Sequence, residues 1–186
     1  MNKNLLILVV LFLSVGLWAD GVAPTGSGTA EDPYLIANLD NLLYLSTNSD
    51  LWASGIHFRQ TADIDAAASQ IWNDGAGFSP IGNGSNSFQG IYNGGGYVIS
   101  NLYINRPATN YVGLFGCIDD ALIQNIGLAD VDINSGSGSY YTGGLVAFAS
   151  NSIIIYTYVS GSVAGDSYIG GLIGAGVVKA GFSVLV

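Results

Sequence analysis

Two short phrases recur along the chain in a fixed order. Tyr111-Val-Gly-Leu-Phe-Gly116, Tyr141-Thr-Gly-Gly-Leu-Val-Ala147 and Tyr168-Ile-Gly-Gly-Leu-Ile-Gly174 are three copies of the first, and aligning them on Gly113, Gly144 and Gly171 gives spacings of 31 and 27 residues. The second phrase appears as Ile99-Ser-Asn-Leu-Tyr-Ile104, Ile123-Gln-Asn-Ile-Gly-Leu128 and Ile154-Ile-Tyr-Thr-Tyr-Val159, with starts 24 and 31 apart. A period of this length, filled with short apolar runs and glycine turns, matches one coil of a stacked solenoid. The fold expected is therefore all-β: a right-handed parallel β-helix with a short N-terminal capping helix.

In-register stacking explains the composition. Charged residues make up 9% of the 186-residue chain, against about 25% in an ordinary soluble domain. A position that repeats from coil to coil meets its own kind above and below, so like charges repel along a ladder whereas apolar, Asn and Ser ladders are tolerated. The 27 glycines supply corners with positive φ and allow close backbone approach. Asn101 and Asn125, 24 residues apart, are expected to stack as an amide ladder that ends at Tyr156.

One helix is expected over residues 38–49, where Leu39, Leu42, Leu43 and Ser46 share a face, Asn38 can cap and Asp40 lies in the first turn. Strands are expected over 56–61, 88–92, 97–104, 122–133 and 153–163, divided by Gly, Asn and Ser turns. No linker divides residues 20–186, which are read as a single domain carrying repeats over about 98–176.

Residues 1–19 read as a secretory signal peptide: Lys3, an apolar run from Leu5 to Val15, and the small residues Gly16 and Ala19. The run is short for a bilayer span, which needs about 20 residues, so no membrane span is expected after cleavage. An uncleaved N-terminal anchor is the competing reading. The expected location is secreted or cell surface. Cys117 is the only cysteine, so an exported chain has no internal disulfide, and a buried apolar thiol is favoured over a nucleophile because His57, the only histidine, is remote in sequence.

The net charge is -9, and only Arg59, Arg106 and Lys179 are basic beyond Lys3, which excludes a phosphate-backbone partner. Gly82-Asn-Gly84 and Gly94-Gly-Gly96 are turns, not phosphate cradles, because neither is followed by Lys-Ser/Thr or a helix start. Asp119 with Asp120 is the carboxylate pair most like a glycosidase site, read here as an exposed turn after buried Cys117. Asp63 with Asp65, and Asp130 with Asp132, lie two apart, so a strand would present both members on one face, compatible with calcium. Asp74 joins the first pair as a third candidate ligand. A solvated strand face gives the same pattern, and no catalytic, cofactor or metal residue is assigned. His57 is read as a strand-face residue. Tyr111, Tyr141 and Tyr168 form a repeating column, and Tyr92, Tyr97 and Tyr103 a neighbouring cluster. Such columns serve either as packing ladders or as contacts to sugars and protein surfaces.

The repeated phrases resemble the GLUG motif, a short repeat named for its Gly-Leu-x-Gly core and found in bacterial surface and secreted proteins. Residues 111–174 carry the resemblance. Upstream, the segments at 26–36, 61–65, 80–82 and 88–102 are similar to the lead-in that precedes such repeats. The second copy departs from the motif at Ala147, and the third dissolves into residues 177–186. The resemblance implies an exported, adhesin-like β-helix without catalytic residues in the motif itself. The expected function is non-enzymatic surface display or adhesion, with a carbohydrate or cell-surface protein as ligand. A carbohydrate-active β-helix enzyme and a calcium-stiffened surface module are the alternatives. The broken third copy leads to the expectation that the chain is a fragment of a longer repeat protein.

Overall fold

The computed structural model describes residues 21–178. The expected signal peptide, Lys179 and the apolar tail at 180–186 lie outside them. Twelve strands follow in chain order: β1 (Tyr34–Ile36), β2 (His57–Gln60), β3 (Ile64–Asp65), β4 (Ile91–Asn93), β5 (Val98–Ser100), β6 (Tyr103–Asn105), β7 (Phe115–Asp119), β8 (Leu122–Asn134), β9 (Tyr140–Gly143), β10 (Val146–Ala164), β11 (Ser167–Gly170) and β12 (Ile173–Val178). All the pairings between these strands are parallel. The chain is a parallel β-helix with a short helix near its start, as the repeat requires.

One face stacks β1, β2, β4 and the starts of two longer segments, so that Tyr34, Phe58, Tyr92, Ile123 and Ile154 fall in one inward column. A second face aligns Ile64, Ile99, Leu128 and Val159. A third aligns Ile104, Ile133 and Val163, and a fourth Ile81, Phe115, Val146 and Ile173. Side chains alternate across each face, so these columns point inward and fuse into one continuous core. Each fully buried side chain contributes about 1.5–3 kcal/mol.

The helix α1 (Leu39–Thr47) begins where expected, because the Asn38 side chain accepts from the Asn41 backbone N–H at 3.0 Å. It turns Leu42 and Leu45 into the first-coil end of the core, and the Trp52 indole N–H donates to the Leu45 carbonyl at 2.8 Å. Two expected strands are differently divided. The segment 97–104 splits into β5 and β6 because Asn101 takes φ +57 and turns the chain between faces. The segment 88–92 keeps only its end in β4, while Phe88 bridges to Ile118 on another face. The run 122–133 is one continuous β8, yet it bends at Asn125 (φ +54) and Asp130 (φ +53).

The register corrects one repeat alignment. Ile123 does pair with Ile154, but Ile99 pairs with Leu128, and the residue beneath Ile123 is Tyr92. Asn101 and Asn125 therefore stand at different corners and form no ladder with each other. The amide ladders are Asn93 with Asn125, at 3.1 Å, and Asn105 with Asn134, at 3.2 Å.

Outward columns show how charge is rationed. Leu35, Arg59, Asn93, Gln124 and Ile155 form one, and Tyr103, Asp132 and Ser162 another; each holds a single charged residue. Rungs about 4.8 Å apart would make a second like charge repulsive.

Candidate functional site

The most ordered surface feature is an aromatic column built by the first repeated phrase. Tyr111, Tyr141 and Tyr168 stack with ring centroids 5.3 and 5.0 Å apart and interplanar angles of 16° and 21°. Phe148 presents its edge to Tyr111 and to Tyr141, at 6.1 and 5.0 Å. Below, the Tyr111 ring covers Gly84, where a Cβ would come within 2.8 Å of it. At the upper end Tyr168 is 59% exposed, and Tyr140 beside it is half exposed.

All three tyrosines adopt left-handed backbone, with φ of +61°, +65° and +53°. A bulky residue there costs about 1–2 kcal/mol, and each stacked pair returns about 0.5–1.5 kcal/mol beyond its burial. The terms are of the same size. The tyrosines thus turn the corner and pack against one another with little net gain, leaving a continuous aromatic strip. The expected cluster of Tyr92, Tyr97 and Tyr103 does not form: Tyr92 is in the core, where its hydroxyl donates to Gln60 Oε1 at 3.2 Å, Tyr97 is exposed, and Tyr103 lies on β6. Burial pushes the Tyr92 phenol well above its ordinary range.

The carboxylates weighed from sequence have local duties. Asp63 Oδ1 accepts from the Val98 backbone N–H at 2.9 Å. Asp65 Oδ1 accepts from Asn101 Nδ2 at 2.9 Å and from the Ala67 N–H at 3.0 Å. Asp74 sits exposed in a separate turn at φ +56. Asp130 is itself a corner and Asp132 lies on the next face, so the strand geometry expected to align them is absent. Asp119 ends β7, and exposed Asp120 turns the chain at φ +50, its N–H donating to the Ser150 carbonyl at 3.1 Å. Among the described residues no three His, Cys, Asp or Glu side chains are placed to hold a metal. Cys117 is 7% exposed, Ser87 Oγ donates to its sulfur at 3.2 Å, and burial pushes the thiol up.

The Asn101 amide, with the Ala67 N–H behind it, holds the Asp65 carboxyl below the usual aspartate range. Because the folded value is depressed, this contribution is present above the unfolded value of about 3.9 and is lost as pH falls through the folded value. A carbon-detected NMR titration is expected to place Asp65 below 3.9, and Asn101→Gly, which keeps the left-handed corner but removes the amide, to move it back up. An unchanged midpoint in that variant would show that Asn101 plays no part.

A second feature was missed in sequence. A groove of about 670 Å³ lies over the outer face of β2, β4 and β8, with His57 and Arg59 in its floor. The signal available was the pairing of the only histidine with one of the few cations, two residues apart on a strand.

No family model matches the chain. It is 40% identical over 156 residues to halomucin from Haloquadratum walsbyi, across 81% of this chain and 2% of that protein. It is 39% identical over 126 residues to a protein of Evansella cellulosilytica named "Putative Gly-rich membrane protein", across 66% of this chain and 14% of that one. The chain thus spans only a small part of the length of either curated relative. Among solved structures, one titled as a "putative immunoglobulin A1 protease" from Bacteroides ovatus superposes with a TM-score of 0.44 at 16% identity, covering 84% of this chain and 65% of that one.

Proposed function

We propose that this chain is an exported, non-enzymatic β-helical module of the GLUG type, displayed at or released from a cell surface, where it acts by broad, weak and repeated contact. The observation that carries the reading is the stacked tyrosine column: three copies of one phrase place the same ring on the same corner, ending in the exposed Tyr168 and its neighbour Tyr140. Repetition of one contact type multiplies weak affinities through effective concentration. The names of the similar proteins, a halomucin and a Gly-rich membrane protein, support a surface setting.

The test has two arms. Antibody against the solenoid is expected to label intact producing cells or their medium, with the exported chain beginning after Ala19 by mass. Beads coated with the chain are expected to adhere to those cells, and Tyr140→Ser with Tyr168→Ser to reduce adhesion about ten-fold, multivalency amplifying a small loss per contact. A signal confined to the cytosol, or adhesion unchanged by the double variant, would overturn the proposal.

A further inference from the structure

The groove over β2, β4 and β8 is a site of a different kind from the tyrosine column. Its floor is two outward columns. His57, Ile91 and Leu122 make one, and Arg59, Asn93 and Gln124 the other, in register from coil to coil. The Ala30–Glu31–Pro33 stretch of the lead-in lines one part of the groove, and the Gly95–Gly96 turn with Asn125 another.

Three observations point to what fits there. The Arg59 side chain is exposed and makes no hydrogen bond or ion pair among the described residues, whereas that of Arg106, the other described cation, is bonded to the carbonyls of Gly77 and Phe78 and to Ser79 Oγ. A free guanidinium fork in so acidic a chain is the place for an incoming carboxylate, which it can bind through two parallel bonds. Beside it stand the primary amides of Asn93, Gln124 and Asn125. An amide offers a carbonyl acceptor and two donors, the pattern that matches arrays of hydroxyl groups. The Asn125 amide is held by its bond to Asn93, while that of Gln124 has no bond among the described residues. Ile91 and Leu122 supply an apolar strip for the C–H face of a sugar ring.

A peptide is a poorer fit. Adding a strand requires an open sheet edge, and here β2 lies between β1 and β4, β4 between β2 and β8, and β8 between β4 and β10, so every backbone edge in the floor is already paired.

We propose that this groove binds a carboxylate-bearing oligosaccharide, with Arg59 on the carboxylate and the Asn93, Gln124 and Asn125 amides on the hydroxyls. Glu31, exposed at the rim, weakens binding by like charge and thereby restrains it.

The probe is a β-1,4-linked glucuronate tetramer, with cellotetraose, which has the same backbone and no carboxylates, as its counterpart. Calorimetry or NMR titration of the chain is expected to show the tetramer binding at least ten-fold more tightly than cellotetraose, and less tightly as salt rises. Arg59→Ala is expected to weaken the tetramer about ten-fold or more, Gln124→Ala to weaken both sugars, and Glu31→Gln to strengthen the tetramer about two- to five-fold. Arg59 and Glu31 are exposed, so circular dichroism of both variants should match the parent. Equal binding of the two sugars, unchanged affinity in Arg59→Ala, no shift at about 10 mM tetramer, or full competition by equimolar acetate would each overturn the proposal. The readout is sugar binding at this face and is independent of export and of the tyrosine column, so either proposal can fail alone.

Discussion

Phe115→Ala is expected to cost about 3–5 kcal/mol, a large part of the 5–15 kcal/mol that holds a typical domain together. Phe115 is fully buried, with its ring 5.2 Å from Phe88 and 5.6 Å from Tyr92, and it lies in register between Ile81 and Val146. It therefore joins two faces of the solenoid at one level. The backbone on either side is held in place, by the Phe115 N–H on the Leu145 carbonyl at 2.8 Å and the Gly116 N–H on the Ile81 carbonyl at 2.8 Å, so the cavity cannot close by collapse. Each coil touches only its neighbours. Urea denaturation should show the full loss, and hydrogen exchange should show early opening around β4, β7 and the middle of the solenoid. Phe115→Leu, which keeps most of the volume, should cost less than half as much. A loss under about 1 kcal/mol for the alanine variant would mean that this level of the core repacks freely.

How much of this was legible in the sequence depends on the range of the signal. The helix was legible because its determinants are local: Asn38 caps it and its leucines share one side. The solenoid was legible because the Gly-Leu phrase repeats, and that alignment survives, with the Leu114 N–H donating to the Gly144 carbonyl and the Leu145 N–H to that of Leu172. The second phrase was placed one face out of phase at Ile99. Its apolar alternation has period two on every face, so the pattern cannot distinguish the face of β5 from that of β4. What separates them is a left-handed corner, turned by Gly95 and Gly96 in one coil, by Asn125 in the next and by Tyr156 in the one after, with no shared residue type to align. The three-residue β1 and the two-residue β3 had no strand signal for the related reason that so few residues carry no period.

The groove shows a further limit. Its floor residues come from coils 34 and 31 residues apart, with His57 above nothing like itself and Ile91 and Leu122 completing its column. The repeats that reveal a solenoid are those whose positions are alike, whereas a binding face needs unlike residues in one column. A site on this fold is therefore least visible where the repeat is weakest, which is in the lead-in coils that hold Glu31, His57 and Arg59.

Gly82→Ala is the second large effect, expected at about 2–5 kcal/mol. Gly82 has φ +76, which costs an alanine about 1–2 kcal/mol. The Cβ would also run into the Cys117 carbonyl oxygen and lie 2.8 Å from the Phe88 nitrogen. Those two atoms are themselves hydrogen-bonded, the Phe88 N–H donating to the Cys117 carbonyl at 2.9 Å, so neither can move aside without opening the rung where the chain returns from its excursion through Asn83 and Asn86. Overpacking against backbone adds about 1–3 kcal/mol. Gly55→Ala separates the two causes: Gly55 has φ +81 and nothing within 4 Å of its Cβ position, so only the conformational cost should appear. The excess of the Gly82 variant over the Gly55 variant in denaturant midpoint then measures the clash alone. Cys117 reports the same event locally, since its thiol is almost buried in the native chain and should react with a thiol reagent much faster in Gly82→Ala than in Gly55→Ala. Equal losses in the two variants, with Cys117 equally protected, would show that the rung yields and that Gly82 is needed for its φ alone.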